Sequence, residues 1–345
     1  MRHFNELEKS NMRERLLDIL DHGLPPLIEL PVPDTIEMES WFQKSKIKEI
    51  LSVYAFEGGK IRAANGKLPA VLKTWLIEEK EGKFDNRPIV IGPTSGNWGM
   101  ISGLVAPLFN VAGFQAVVGS DVPDGKLVHL KSSGAEVIVA PEGVSAITYA
   151  LELSKKSGYH LINQYTHRGT YEGGRWTMNH IVNEFHRIGN IPSVFAAVTG
   201  TCGTLVAADL YLKKEHQPNL KIFGVASMSK AEDIPGSRYP EKLEALKEIG
   251  GFSYENIIEL PLIAGVTKDR VFALNAKLFQ QYFLSVGPTA ALLIAGFYDR
   301  LREHYEHGTI DSLKNKDGKI IAVLYFMDMH LPYLEDPEYL SFFQN

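Results

Sequence analysis

Cysteine is nearly absent from this sequence, in which Cys202 is the one cysteine among 345 residues. A single cysteine excludes an intramolecular disulfide and a cysteine-rich zinc site, and it is typical of a reducing compartment. The sequence also lacks an apolar run long enough to cross a membrane or to form the core of a signal peptide. We therefore expect a cytoplasmic protein that has no membrane partner.

An excess of positive charge is missing as well. Lysine and arginine total 36 against 41 aspartates and glutamates, which gives a formal net charge of -5. The basic residues are scattered and are not grouped with aromatic residues as in a nucleic-acid groove, so we expect no nucleic-acid partner. Four histidines fall near one another without HExxH or another paired ligand spacing, so no metal site is predicted. They are His160, His167, His180 and His186.

From about residue 85 onward, short apolar β-rich runs alternate with longer amphipathic runs. The predicted strands read RPIVIG, FQAVVGS, AEVIVAP, HLINQY, SVFAAVTG, LKIFGVAS and KIIAVLYF. Repeated strand, helix, strand order predicts an α/β fold in which parallel sheets are covered by helices on both faces. Residues 1–55 lack this alternation, and we expect them to be helix-rich and to pack on the outside of a larger domain.

Three glycine-containing turns each precede a helix-like run. They read GPTSGNWG (92–99), TGTCGT (199–204) and LSVGPT (284–289). In parallel sheets, ligands bind beyond the carboxyl ends of the strands, where such turns collect. Glycines let a ligand approach the backbone, and hydroxyls with the N–H groups of a helix start bind anions, so TGTCGT predicts a phosphate cradle. The chain has neither the Walker motif GxxxxGK[ST] nor the dinucleotide motif GxGxxG.

The three turns, in this order, resemble the pyridoxal-phosphate (PLP) enzymes of the cysteine synthase and cystathionine β-synthase family, which has PLP fold type II and is tryptophan-synthase-like. The family patterns are TSGNTG, GTGGT and SSGAA or GSAGS. The C-terminal run KIIAVLYFMDMHLPYL is similar to the family's last strand and PDxGxRYL, with Asp328, Tyr333 and Leu334 in register. The run LKEIGGFSYEN (246–256) is similar to IGxGFxPEN.

The resemblance covers roughly residues 50–335 and implies two domains, each a mainly parallel twisted sheet flanked by helices. The smaller, mobile domain would comprise residues 55–170 and carry the cofactor lysine and the groups that bind the substrate carboxylate. The larger domain, residues 1–54 plus 171–345, would bind the cofactor phosphate. The family also implies a homodimer.

The family's chemistry requires a lysine that forms a Schiff base with the cofactor, a little under thirty residues before the TSGN turn. Lys67 matches this position, since it lies 28 residues before Ser95 and ahead of the helix-like run LPAVLKTWLIEEKEG. Lys60, seven residues earlier, and Lys73, within the helix pattern, are the competing candidates. The sequence NGKLP departs from the family pattern NPxxSxKDR, because it lacks the preceding serine and the following Asp-Arg. We expect the end of this helix, residues 78–81, to be exposed.

Further site residues follow from the resemblance. Those expected to bind the cofactor phosphate are Gly200, Thr201, Cys202, Gly203 and Thr204. Asn97 would bond the ring's 3-oxygen, and Ser285 would face the pyridine nitrogen. Those expected around the substrate carboxylate are Thr94, Ser95, Gly96, Asn97 and Gln164. Arg168 or Arg175 would be placed to meet an anionic substrate group.

Two residues differ from the family at these turns. Trp98 stands where the family has threonine, and its indole either packs in the interior or reshapes the substrate pocket. Cys202 stands where the family has glycine, and we interpret it as a small residue tolerated in the loop.

The resemblance implies β-replacement on an L-serine derivative such as O-acetylserine or O-phosphoserine, through an aminoacrylate intermediate, in amino-acid biosynthesis. Lys67 would act as the base at Cα, and a small nucleophile would be the second substrate, giving cysteine or a related amino acid. One alternative is β-elimination to pyruvate and ammonia. Another is a non-catalytic relative that acts as a binding or scaffold protein, which the altered surroundings of Lys67 and the presence of Trp98 keep open. A nicotinamide oxidoreductase is disfavoured by the missing GxGxxG motif.

Overall fold

A computed structural model describes residues 4–30, 41–42, 45–61, 65–94, 96–120, 122, 124–248, 262–263, 266–330, 333–334 and 336–343. The chain divides into two compact units. Unit 1 comprises Met1–Leu24 and Lys67–Trp176, and unit 2 comprises Pro25–Gly66 and Thr177–Asn345. None of the helices in the described ranges combines the length and the apolar character needed to cross a lipid bilayer.

The strands are β1 (Leu27–Glu29), β2 (Leu51–Glu57), β3 (Ile89–Pro93), β4 (Gly113–Val118), β5 (Glu136–Val139), β6 (Tyr159–Leu161), β7 (Val194–Val198), β8 (Lys221–Ala226), β9 (Leu262–Ile263) and β10 (Ile320–Phe326). The α-helices are α1 (Glu6–His22), α2 (Leu68–Lys80), α3 (Asn97–Val105), α4 (Asp124–Ser132), α5 (Ala146–Leu153), α6 (Gly169–Glu172), α7 (Gly174–Ile188), α8 (Gly203–Ala207), α9 (Pro240–Glu248), α10 (Lys268–Tyr282), α11 (Pro288–Glu306) and α12 (Pro337–Ser341). A π-helical segment, Ala208–Lys213, continues α8, and short 3-10 segments are Ile47–Glu49, Gly58–Lys60, Ala106–Leu108 and Ile310–Leu313.

Unit 1 contains a four-stranded parallel sheet with the order β5–β4–β3–β6. The two central strands, β3 and β4, are almost wholly buried, as expected for parallel strands that are covered on both faces. Helix α2 buries one face, and the indole of Trp75 on that face packs against the rings of Phe84, Phe109 and Phe114. These aromatic contacts anchor α2 in the core of unit 1.

Unit 2 contains a six-stranded sheet with the order β1–β2–β10–β7–β8–β9. All neighbouring pairs are parallel except β1 and β2. Strand β10 is buried along its whole length between β2 and β7, and the apolar helix α11 packs on the same core. The predicted α/β fold with mainly parallel sheets is therefore confirmed, and the seven predicted strand runs correspond to β3–β8 and β10.

The expectation for residues 1–55 is wrong, since this segment contains β1 and most of β2. The run LSVYAFE forms β2 because it pairs with β10, with Val53 opposite Ala322. A short apolar run is ambiguous between helix and strand in a sequence, and the partner that decides it lies near the other end of the chain. Helix α1 belongs to unit 1, where Arg13 Nη1 lies 2.7 Å from Glu79 Oε1 on α2.

Candidate active site

The turn after β3 is organised by the buried Thr94. Its N–H donates to the carbonyl of Val117 at 2.9 Å, and its Oγ1 accepts from the N–H groups of Gly96 and Gly99, both at 3.1 Å. Gly96 has a φ of +155°, which residues with a side chain rarely adopt. The turn thus holds a fixed shape, with Gly96 and Asn97 partly exposed at the start of α3. Ser95 lies outside the described residues.

Gln164 is held against this turn. Its Nε2 donates to the carbonyl of Pro93 at 3.0 Å, and the backbone carbonyl of Gln164 accepts from Thr170 Oγ1 at 3.0 Å. Three of the predicted carboxylate-binding residues, Thr94, Gly96 and Gln164, are therefore brought together in unit 1. Arg168 is exposed and bonds instead to Glu81 Oε1, at 3.0 Å.

Trp98 packs in the interior of unit 1, where 2% of its surface is exposed. Its indole lies edge-to-face with Phe114 and against Gly92, where an added β carbon would come within 2.5 Å of the indole. Among the described residues, its Nε1 has no hydrogen-bond partner. Of the two alternatives for Trp98, the structure shows the packed one, and Gly92 makes room for it.

Lys67 is the residue that caps the start of α2. It is partly buried, its carbonyl accepts from Val71 N at 2.9 Å, and Pro69 lies in the first turn of the helix. The competing lysines face carboxylates, since Lys60 Nζ lies 2.6 Å from Glu57 and Lys73 Nζ lies 3.8 Å from Glu172. Lys67 stays the candidate because it lies 28 residues before Ser95 and directly ahead of α2.

The lysine and Asn97 begin two helices that contact each other within unit 1. Trp75 Nε1 on α2 donates to Ser102 Oγ on α3 at 3.4 Å. Lys67 opens α2, and Asn97 is the first residue of α3. Both predicted residues thus stand at helix N-termini on elements that pack together.

In unit 2, the loop 199–204 joins β7 to α8. Thr199 fixes its start, since its N–H and its Oγ1 both donate to the carbonyl of Val225, at 2.7 Å and 3.0 Å. Thr201 Oγ1 accepts from Gly203 N at 3.4 Å. Cys202 is 3% exposed and has a left-handed backbone, with a φ of +62°. Glycine adopts this conformation without steric cost, which explains why the family has glycine here.

The donors of this loop fit a phosphate group. A β carbon added to Gly200 would lie 3.1 Å from the carbonyl oxygen of Gly236, which is closer than most real β-carbon contacts, so this position favours glycine. The first N–H groups of a helix have no intrahelical acceptor, and the loop also carries the hydroxyl groups of Thr201 and Thr204. The guanidinium of Arg238 lies beside the loop and adds positive charge there. Its Nε donates to the carbonyl of Gly200 at 3.1 Å.

Ser285 lies in a turn that the end of β10 supports. The Gly287 N–H donates to the carbonyl of Asp328 at 3.0 Å, and the Asp328 carboxylate accepts from Thr289 Oγ1 at 3.2 Å and from the hydroxyl of Tyr333 at 2.5 Å. Burial and the charge of Asp328 raise the pKa of Tyr333, so this phenol stays a hydrogen-bond donor. Ser285 Oγ lies 2.8 Å from His330 Nδ1.

In unit 2, the segment 235–238 lies between the loop 199–204, which is the phosphate-loop candidate, and the Ser285 turn. Gly236 approaches Gly200 on one side, and on the other a β carbon at Gly236 would lie 3.1 Å from Thr289. Sequence reasoning missed this segment and Arg238. The one available signal is the Gly/Pro-containing run IPGSRYP, which is typical of a loop but does not identify its neighbours. Residues 249–256 of the run LKEIGGFSYEN lie outside the described residues.

The expectation that residues 78–81 form an exposed helix end is wrong for Glu78, which is 6% exposed. Glu78 Oε2 lies 2.5 Å from His160 Nε2, and Oε1 lies 2.8 Å from His167 Nε2. Burial raises the pKa of Glu78, but the hydrogen bonds from the two histidines outweigh it and lower the pKa to about 2. Helical spacing from Leu68, Val71 and Trp75 would have placed Glu78 on the buried face. In the described ranges, no group of three or more His, Cys, Asp or Glu side chains is arranged to hold a metal ion.

Comparisons with known proteins bear on the family and the fold of the chain. The cysteine synthases of several Staphylococcus aureus strains are 29% identical to the chain over 174 residues, which are 49% of this chain and 54% of those proteins. The chain thus spans about half the length of the curated relatives it matches. A hydrogen sulfide-producing enzyme from Fusobacterium nucleatum has a TM-score of 0.70 at 21% identity, covering 92% of this chain and 97% of that one. O-ureido-L-serine synthase has a TM-score of 0.67 at 17% identity, over 94% and 95%.

These structural likenesses show the fold, and together with the family match that follows they confirm the predicted PLP fold type II. Residues 58–310 match the family described as pyridoxal-phosphate dependent enzyme. The resemblance to cysteine synthase and the predicted cofactor are confirmed by these matches. The chain belongs to the family of pyridoxal-phosphate dependent enzymes.

Proposed function

We propose that the chain catalyses β-replacement on an L-serine derivative of the O-acetylserine or O-phosphoserine type. A small nucleophile would be the second substrate, and the product would be cysteine or a related β-substituted amino acid. The proposal depends chiefly on one observation, the neutral hydroxyl of Ser285 with an imidazole partner 2.8 Å away, at the position matching the ring-nitrogen site. The names of the relatives, cysteine synthase and O-ureido-L-serine synthase, point to the same class of product.

Each site residue has a proposed task. When bound, PLP withdraws electrons from the substrate's Cα, so that the α proton and the β substituent can leave. Lys67 would hold the cofactor covalently and would take the proton from Cα. The phosphate would be bound by Gly200, Thr201, Cys202, Gly203 and Thr204. The ring would be oriented by Asn97 and Ser285. The substrate carboxylate would be bound by Thr94, Ser95, Gly96, Asn97 and Gln164.

A hydroxyl at the ring nitrogen suits this reaction class. A carboxylate there would stabilise a protonated nitrogen and a strong electron sink, whereas a hydroxyl does not. A weak sink is sufficient when the β substituent leaves directly after the α proton.

The visible spectrum of the protein with added PLP tests the cofactor and the lysine. We expect a cofactor band in wild type and in the matched control Lys73→Ala, and a change in this band when O-acetylserine is added. Lys67→Ala should show neither. A band that persists unchanged in Lys67→Ala would assign the covalent role to another residue. No band in wild type would favour a non-catalytic binding protein.

A product assay distinguishes replacement from elimination. The enzyme would be incubated with O-acetylserine or O-phosphoserine, with and without sulfide. We expect a new amino acid that forms only with sulfide and little pyruvate without it. Pyruvate at the same rate in both cases would identify a lyase instead, which the hydrogen sulfide-producing neighbour also makes worth measuring. A homodimer and a cytoplasmic location are further proposals from the resemblance, and light scattering after gel filtration tests the first.

A further inference from the structure

His330 occupies a position that has no side chain in the family pattern. With Asp328 and Tyr333 in register with PDxGxRYL, His330 falls on the glycine. Its Nδ1 lies 2.8 Å from Ser285 Oγ, and 4% of its surface is exposed. The contact between His330 and Ser285 therefore belongs to this chain and does not follow from the family pattern.

The imidazole is held in place by aromatic rings. The ring centroid of Phe279 on α10 lies 4.2 Å from that of His330, and the ring of Phe343 stacks on it at 6.0 Å. Burial lowers the pKa of His330, so the imidazole is neutral at neutral pH. A neutral imidazole has one N–H donor and one acceptor nitrogen. The direction of the hydrogen bond to Ser285 is thus set by which nitrogen carries the proton.

We propose that His330 is a positioning residue whose Nδ1–H donates to Ser285 Oγ and so directs the Ser285 hydroxyl hydrogen to the cofactor's pyridine nitrogen. The inference rests on the proposed role of Ser285. A serine hydroxyl has one hydrogen, and if the imidazole supplies a hydrogen to Oγ, the serine's own hydrogen is available for an acceptor. Ser285 would then favour an unprotonated ring nitrogen.

The opposite direction is less favourable at this place. If Nδ1 accepted the serine hydrogen, Oγ could only accept from the ring, which would need a protonated and positively charged nitrogen. Ser285 and its imidazole partner offer no negative charge to balance it, and the nearby Asp328 carboxylate already accepts hydrogen bonds from Thr289 and Tyr333. Burial disfavours an unbalanced charge. The aligned donors from His330 to Ser285 to the ring nitrogen give Nδ1, Oγ and the ring nitrogen each a partner without placing a charge on any of them, and such chains of hydrogen bonds reinforce one another.

Nuclear magnetic resonance tests both halves of the inference. In cofactor-free protein labelled with 15N-histidine, the signal that disappears in His330→Asn identifies His330 and shows which nitrogen is protonated. In protein loaded with PLP that is 15N-labelled at the pyridine nitrogen, the chemical shift shows whether that nitrogen is protonated. We expect a protonated Nδ1 in the first experiment and an unprotonated ring nitrogen in the second.

Three variants separate the hydrogen bond from packing. His330→Gly restores the family residue and removes the donor, so the ring-nitrogen shift should move and PLP should bind roughly five-fold more weakly, about the effect of one hydrogen bond. His330→Asn keeps an N–H donor near the Nδ1 position and should retain the wild-type shift. Phe279→Leu loosens the packing without removing a donor and should leave the shift unchanged.

Two results would overturn the inference while the proposed function stands: a cofactor-free His330 protonated on Nε2, or a ring-nitrogen shift that is the same in wild type and His330→Gly. Wild-type protein that shows no cofactor band would overturn the proposed function, and this inference with it. The cofactor-free histidine signal identifies which of these failures has occurred, because it does not depend on PLP.

Discussion

Cys202 shows how one backbone angle limits the choice of side chain in the phosphate-loop candidate. Its φ of +62° puts the backbone in the left-handed region, where the β carbon of a residue with a side chain is crowded at a cost of about 1–2 kcal/mol. Because the side chain is buried, part of that cost is offset by packing. The sequence shows the departure from glycine, and the structure shows what it costs.

We expect Cys202→Gly to have a larger free energy of unfolding than Cys202→Ala, by about 1 kcal/mol. Both variants lose the thiol, but glycine alone removes the steric cost. At an ordinary helical position the order would be reversed. Urea unfolding of the two variants beside wild type measures the difference, and an alanine variant that equals or exceeds the glycine variant would contradict it.

The candidate site could be predicted from the sequence where a residue acts next to its own turn. Thr94, Gly96 and Asn97 form one such turn, and Gly200 to Thr204 form another. His330 and Arg238 could not be predicted, because their roles depend on partners far along the chain, at Ser285 and Gly200. Trp98 is an intermediate case. The sequence shows that it replaces the threonine of the family pattern, but it does not show that the indole packs in the core.

At the scale of elements, Glu78 ties α2, the helix that follows Lys67, to two other segments of unit 1. His160 belongs to β6, and His167 lies in the loop that carries Gln164. The Glu78 carboxylate therefore links the helix next to the candidate lysine to the segment whose Gln164 bonds to Pro93 at the end of β3. Its folded pKa of about 2 lies below its ordinary value of 4.5.

A depressed carboxyl pKa contributes stability above the unfolded pKa, and this contribution is lost as the pH falls through the folded value. We expect the free energy of unfolding of wild type to decline between about pH 5 and pH 2, and to decline less steeply in Glu78→Gln, which lacks this titrating group. Urea unfolding at a series of pH values gives the slopes. Glu81→Gln, at an exposed ion pair with Arg168, is the matched control and should keep the wild-type slope. Equal slopes in wild type and Glu78→Gln would refute the assignment.

Seven strands could be predicted because each is a short apolar run followed by a turn signal and, in most cases, a helix. Strand β2 could not, since its partner β10 lies far along the chain, and β1 is only three residues long. Local patterning determines which runs are apolar, but long-range pairing decides which of them enter a sheet.

At the scale of the whole molecule, the two units use the chain differently. The sheet of unit 1 is built from one continuous stretch, Lys67–Trp176, to which α1 is added. The sheet of unit 2 takes strands from both ends of the chain, with Ile320 of β10 opposite Leu51 of β2. Closing such a distant pair costs more chain entropy before any contact is gained.

We expect the amides of β3 and β4 to gain protection before those of β2 and β10 during refolding. Pulse-labelled hydrogen exchange, read by mass spectrometry on peptides from each strand, measures the order. Simultaneous protection of both sheets, or earlier protection of β2, would contradict it. Strand β7 is a useful internal comparison, because it pairs with β10 on one side and with β8 on the other.

The pairing of β2 with β10 also has a consequence on the ribosome. As the chain emerges from the ribosome, β2 precedes its parallel partner β10 by the whole of residues 58–319. The hydrogen-bonding edge of β2 that β10 occupies must stay unpaired with β10 while those residues are being synthesised. A chaperone that shields this one strand would therefore protect the nascent protein throughout that interval.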